Sequence, residues 1–228
     1  MIKWPKRIIV VRHGESEQNA ATDLLEKNLD EKLLQAQKGI RDADIKLTEK
    51  GIWQAKETGK LLRKFELIDF CFCSPYIRTL QTAENIVSEL NKKVEILKDN
   101  RLREKEFGRL HGFTKNEIKE KYPEEFFDRE REGKYWYRLP RGENYPDVEA
   151  RIHSFLDKLH RDCNGKTVLV VTHHVPCLMF RALFEHLGEK EVLELGNISN
   201  CGIEIFEIDT TKKFEGKMVL KEFNLIAY

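Results

Sequence analysis

A chain of 228 residues is long enough to bury a core of its own, and residues 1–228 read as one domain. With 40 basic and 39 acidic residues the formal net charge is +1, so no basic face marks nucleic acid as a partner. The apolar run near the start, Ile8 to Val11, is too short for a signal-peptide core or a membrane span, so a cytoplasmic chain without a membrane partner is expected.

In chain order, Ile8 to Val11 reads as a buried strand running directly into the polar stretch Arg12 to Asn19. Residues 20–46 are charged and hold a helix-prone insertion with leucines at 24, 25, 29, 33 and 34. Thr48 can cap a helix to about Lys64 that turns Ile52, Ala55 and Leu62 inward. Leu67 to Cys73 is a second apolar strand, stopped by Ser74-Pro75, and a helix follows with Ile77, Leu80, Ala83, Val87 and Leu90 at helical spacing. Residues 100–146 mix charge with aromatics, and are expected to form a lid with Tyr135, Trp136 and Tyr137 in its core. Val148, Ile152, Phe155 and Leu159 mark a further amphipathic helix, and Thr167 to Val171 a third strand. Pro176 suits the first turn of the helix after it. Ile203 to Ile208 and Met218 to Ile226 alternate as a terminal hairpin, whose edge offers a possible homodimer contact. Strands alternating with helices predict an α/β fold: a three-layer α/β/α sandwich with a mostly parallel sheet and a lid insertion. The five cysteines show no zinc-ribbon spacing, and Cys71-Phe72-Cys73 alternates along a strand. They read as reduced thiols.

In open α/β sheets ligands bind beyond the carboxyl ends of the strands. Two of the apolar strands end in histidine, at Arg12-His13-Gly14-Glu15 and at Thr172-His173-His174. The other ends in Ser74-Pro75, with Arg78 four residues after the serine. Two histidines and two arginines therefore share one rim. Arginine clamps phosphate with its planar fork, and histidine serves as nucleophile or donor.

These segments, with Asn19, Leu102-Arg103-Glu104 and Phe107-Gly108, resemble the histidine phosphatase superfamily over roughly residues 8–180. That group includes phosphoglycerate mutase-like enzymes and broad-range phosphatases. The resemblance implies a phosphohistidine formed on His13, with Arg12, Arg78, His173 and Asn19 around the phosphoryl oxygens. It implies Glu104 as the acid that protonates the leaving oxygen, with Glu106 as the other candidate. Ser16 is read as a helix cap or a ligand contact. His174 stands where many relatives have glycine; it either lines the pocket as a substrate contact or packs into the helix. His111 reads as a surface or packing residue. No metal or other cofactor is implied, because the two arginines take the electrostatic part.

Segments typical of the mutases are not visible: neither a Thr-Gly-Trp stretch after the nucleophile nor an arginine pair followed by prolines in the lid. The lid's Arg138-Leu139-Pro140-Arg141-Gly142-Glu143-Asn144 looks like the broad-range phosphatase branch instead. The expected activity is metal-independent hydrolysis of a small phosphorylated metabolite, with Arg138, Arg141 or Lys115 supplying a second anionic contact. The alternatives are a cofactor-dependent phosphoglycerate mutase and a phosphate-binding module without turnover.

Overall fold

A computed structural model describes residues 4–26, 39–64, 67–209 and 217–228; part of the insertion expected over 20–46 lies outside them. Six strands form one sheet: β1 Arg7–Arg12, β2 Phe70–Cys73, β3 Ile96–Lys98, β4 Thr167–Thr172, β5 Ile203–Asp209 and β6 Lys217–Leu225. Their order is β3-β2-β4-β1-β5-β6. The first four lie parallel, β5 runs antiparallel to β1, and β6 closes the expected hairpin on β5. Continuous runs such as Ile8–Val11 and Val168–Val171 are buried on both sides, as parallel strands between helical layers must be.

One face of the sheet carries α6 (Tyr145–Asp162) and α7 (His174–Glu185); the other carries α2 (Glu49–Leu62) and α3 (Ile77–Ser88). This is the three-layer sandwich predicted. Val148, Ile152, Phe155 and Leu159 on α6 are all fully buried. Each such side chain stabilises by at most about 1.5–3 kcal/mol. Thr48 caps α2, its hydroxyl accepting the Gly51 amide at 3.0 Å. On α3 the buried stripe is Arg78, Thr79, Thr82, Ala83 and Ile86, one position round from the apolar stripe read in the sequence. That face walls the candidate site, so it buries polar groups.

The second strand begins at Phe70, not Leu67, which is 63% exposed. Asp69 ends the approach to the strand, its carboxylate accepting the Thr167 amide at 2.9 Å. The short β3 had no sequence signal of its own. Residues 100–146 are more ordered than their composition suggested. They hold 3₁₀ turns at Asn100–Leu102 and Gly108–Leu110, then α4 (Lys115–Lys121) and α5 (Pro123–Trp136). Gly133, at φ 84°, breaks α5 in a conformation that favours glycine. Tyr135 and Tyr137 are buried as expected, whereas Trp136 is exposed and donates to Glu189 at 2.7 Å. The remaining helices are α1 (Glu17–Glu26) and α8 (Glu189–Glu194). Among the described residues no helix is long and apolar enough to cross a membrane, and all five cysteines are buried free thiols.

Candidate active site

Strand order builds the site. β4 lies between β2 and β1, with Arg12 in register with Thr172 and Cys73 with Val171. The residues just beyond the three strands, His13, Ser74 and His173, are thereby level at one edge. The His13 amide donates to the Thr172 carbonyl at 2.9 Å, and the Ser74 amide to Val171 at 3.1 Å.

The turn after β1 can approach α2 only because two glycines face each other. A Cβ on Gly14 would lie 2.5 Å from the Gly51 carbonyl oxygen, and one on Gly51 would lie 2.1 Å from that of Glu15. The Gly14 amide donates to Thr82 at 3.1 Å. Glu15 is spent on the scaffold, its carboxylate accepting Lys50 at 2.5 Å and Thr48 at 2.9 Å.

His13 is 4% exposed, and its Nδ1 lies 2.7 Å from the Gly14 carbonyl oxygen, an acceptor that requires Nδ1 to carry the proton. The lone pair is then on Nε2, which accepts from Arg78 Nε at 3.3 Å. Burial, with the positive charges of Arg78 and Arg12, holds the His13 pKa well below the ordinary value, so the ring is a neutral base with its free nitrogen toward the arginine. Burial also lowers the Arg12 pKa; its guanidinium donates to the Ile198 carbonyl and at 3.4 Å to Asn197.

Glu104 sits at the start of α7, where backbone amides point at its carboxylate. The amides of Lys105 and Val175 donate to one oxygen at 2.8 and 3.3 Å, and that of His174 to the other at 3.1 Å. Burial dominates its titration and raises the pKa above the usual carboxyl range. Glu106 is exposed and accepts from the Gly108 amide at 3.2 Å, so geometry favours Glu104.

His173 is fully buried behind His13, ring centroids 5.2 Å apart, with Nε2 2.8 Å from the Ser74 hydroxyl. Burial pushes its pKa well down, and Nδ1 has no hydrogen-bond partner among the described residues. Ser16 donates to the Asn19 side chain at 3.0 Å, and Asn200 donates to the same oxygen at 3.0 Å.

A pocket of about 340 Å³ opens over this cluster, lined by Arg12, His13, Ser16, Asn19, Arg78 and Glu104. His174 departs from expectation. Its side chain lines a separate cavity beside Lys134, Tyr145 and Asn197, and it reaches the site only through its backbone amide. Burial lowers its pKa to about 4. Arg138, Arg141 and Lys115 do not line the catalytic pocket either; Arg138 pairs with Asp147 at 2.6 Å and Lys115 with Glu130 at 3.5 Å.

Sequence reasoning missed several pocket residues, His111 and Asp42 among them. His111 lines the pocket mouth. Asp42, in the 3₁₀ turn Asp42–Asp44, places its carboxylate 2.9 Å from Arg78 Nη1, and its backbone carbonyl accepts from the same nitrogen. Nothing local distinguishes Asp42 from the chain's other acids; only the tertiary contact does.

An α/β sandwich that gathers two histidines, two arginines and a buried carboxyl at one edge of its sheet fits the class of phosphoryl-transfer enzymes. The chain matches the model of the histidine phosphatase superfamily (branch 1) over residues 8–219 and belongs to that family. It is 30% identical to the phosphoglycerate mutase-like protein AT74 of Arabidopsis thaliana over 90% of this chain, spanning 65% of that protein's length. It is 33% identical to phosphoserine phosphatase 1 of Hydrogenobacter thermophilus over 75% of this chain and 72% of that one. To the 2,3-bisphosphoglycerate-dependent phosphoglycerate mutase of Treponema denticola the identity is 28% over 94% and 92%. The solved structure of Bacillus stearothermophilus YhfR superposes with TM-score 0.72 at 28% identity, covering 94% of each chain.

Proposed function

We propose that this protein is a metal-independent phosphomonoester hydrolase that works through a phosphohistidine on His13. The observation that carries the reading is the state of His13: Nδ1 bonded to the Gly14 carbonyl, Nε2 unprotonated and facing Arg78. In the first half-reaction the Nε2 lone pair attacks phosphorus and the bond to the ester oxygen breaks, with the Glu104 proton going to that oxygen. In the second, water attacks phosphorus, the phosphorus–nitrogen bond breaks, and Glu104 takes the proton back. Arg12 and Arg78 balance charge on the phosphoryl oxygens through both steps, the part a metal ion plays elsewhere. Asn19 and Ser16 edge the same seat, and His173 backs His13.

The substrate is a small phosphorylated metabolite. A mutase reading is kept because phosphoglycerate mutases are among the similar proteins, so the assay must separate the two. Phosphate release from phenyl phosphate in EDTA, lost in His13→Ala, is the expected result. Interconversion of phosphoglycerates when primed with the bisphosphate, without net phosphate release, would make the protein a mutase.

A further inference from the structure

Behind one wall of the catalytic pocket the lid encloses a second cavity of about 200 Å³. Phe107, Leu110 and Phe113 line both, so the two spaces meet at these side chains. The lining has apolar side chains such as Phe126 and Leu139, yet four cations share it: Lys105, Lys115, Arg129 and Lys134. Lys134 reaches in from the exposed rim, Arg129 is half-buried, and Lys105 is only 7% exposed. Among the described residues no carboxylate lies within ion-pair distance of Lys105, Arg129 or Lys134, while Lys115 is paired with Glu130. The acid on the lining, Glu125, already accepts the Tyr137 hydroxyl at 2.5 Å.

The Lys105 ammonium lies 5.2 Å from the centroids of both Phe107 and Tyr145, with the Glu104 charge acting on it from beyond ion-pair distance. Cation–π contact offsets part of the lost hydration, but an unpaired buried charge remains costly. Burial brings its pKa down to about 8, with the Glu104 charge opposing the shift and repulsion from Arg129 and Lys134 adding to it. Three like charges converging on a small apolar space are what a bound anion would relieve.

We infer that this lid cavity binds an amphipathic organic anion, its carboxylate or equivalent group held by Lys105, Arg129 and Lys134 and its flat apolar body lying against Phe107, Phe126 and Leu139. The anion has two possible sources: a free ligand, or the leaving group of a phosphomonoester whose phosphoryl end sits at His13. The second source rests on the hydrolase reading; the first does not.

The test titrates the full-length protein calorimetrically with naphthoate and its neutral counterpart naphthamide, with and without orthovanadate. One equivalent of naphthoate should bind about tenfold more tightly than the amide, and Lys105→Met should erase that difference while leaving vanadate affinity unchanged. Should Lys105→Met not fold, Arg129→Gln at its half-exposed position takes its place, with the same loss expected. Phenyl and para-carboxyphenyl phosphate then separate the sources. A leaving-group site gives preference for the carboxylated ester, lost in the variant, and naphthoate competes with that ester. A free-ligand site binds naphthoate alongside vanadate and turns over both esters alike. Equal affinity for acid and amide, with no preference between the esters, overturns the proposal. If phenyl phosphate is not hydrolysed at all, the hydrolase reading falls and the calorimetric result still decides the lid site.

Discussion

Asp42 grips Nη1 of Arg78 through its carbonyl and its carboxylate, which leaves the Nε edge of the guanidinium turned to His13. A negative charge beside an anion seat also cancels part of the attraction the arginine offers. Asp42→Asn keeps both acceptors and removes the charge, so orthovanadate should inhibit about three- to tenfold more tightly. Weaker inhibition would mean that the carboxylate's main effect is to orient Arg78. Glu104 carries a second expectation. Its raised pKa keeps the acid form present to higher pH than an ordinary carboxyl, and turnover should decline as pH rises through that value. Glu104→Gln should flatten this alkaline limb and slow alkyl phosphates far more than aryl phosphates, whose leaving groups need less protonation. The acid limb belongs to His13 and should lie well below the ordinary histidine range, because its pKa is depressed.

At the scale of elements, the turn after β1 and the helix α2 form one unit, joined by the Gly14–Gly51 contact and the Glu15–Lys50 pair. Gly51→Ala must push the turn off the helix, since its Cβ would meet a backbone oxygen that has nowhere to go. Melting temperature and vanadate affinity should both fall, the former by the several degrees that about 2 kcal/mol represents in a chain of this size. An unchanged vanadate affinity would show that the turn adapts. Much at this scale was legible beforehand. The three apolar strands ending in site residues, the Thr48 cap and the α6 stripe all follow from local pattern, which a single sequence displays. The lid helices were not legible, because α5 is charged nearly all round and shows little apolar periodicity. The direction of the His174 side chain and the Asp42–Arg78 contact were hidden for a different reason. Both depend on what the rest of the fold places opposite, which no spacing records.

At the scale of the whole molecule, Glu204 on β5 is a carboxyl enclosed in the core, with neither oxygen hydrogen-bonded among the described residues. Arg181, the nearby cation, is already paired with Glu185 at 2.7 Å. Burial moves the Glu204 pKa to about 8. The folded state therefore holds this proton far more firmly than the unfolded chain, whose carboxyl titrates near 4.5. The advantage is complete below that value and is lost as pH rises towards 8, a change of at most about 5 kcal/mol. Denaturant midpoints compared between pH 5 and pH 8.5 should fall more in the wild type than in Glu204→Gln. Equal slopes would mean that water reaches the carboxylate.

β1 and β2 come first in the chain yet never touch in the sheet, because β4 is inserted between them. In the first 160 or so residues His13 follows β1 and Arg78 follows β2 on α3, and the place between the two strands belongs to a segment still to come. That place is filled only when Thr167–Thr172 leaves the ribosome, bringing His173 with it. The site cannot be complete until that strand is in place. A chain cleaved in the turn at Gly165 should yield two silent fragments that recover activity only on recombination.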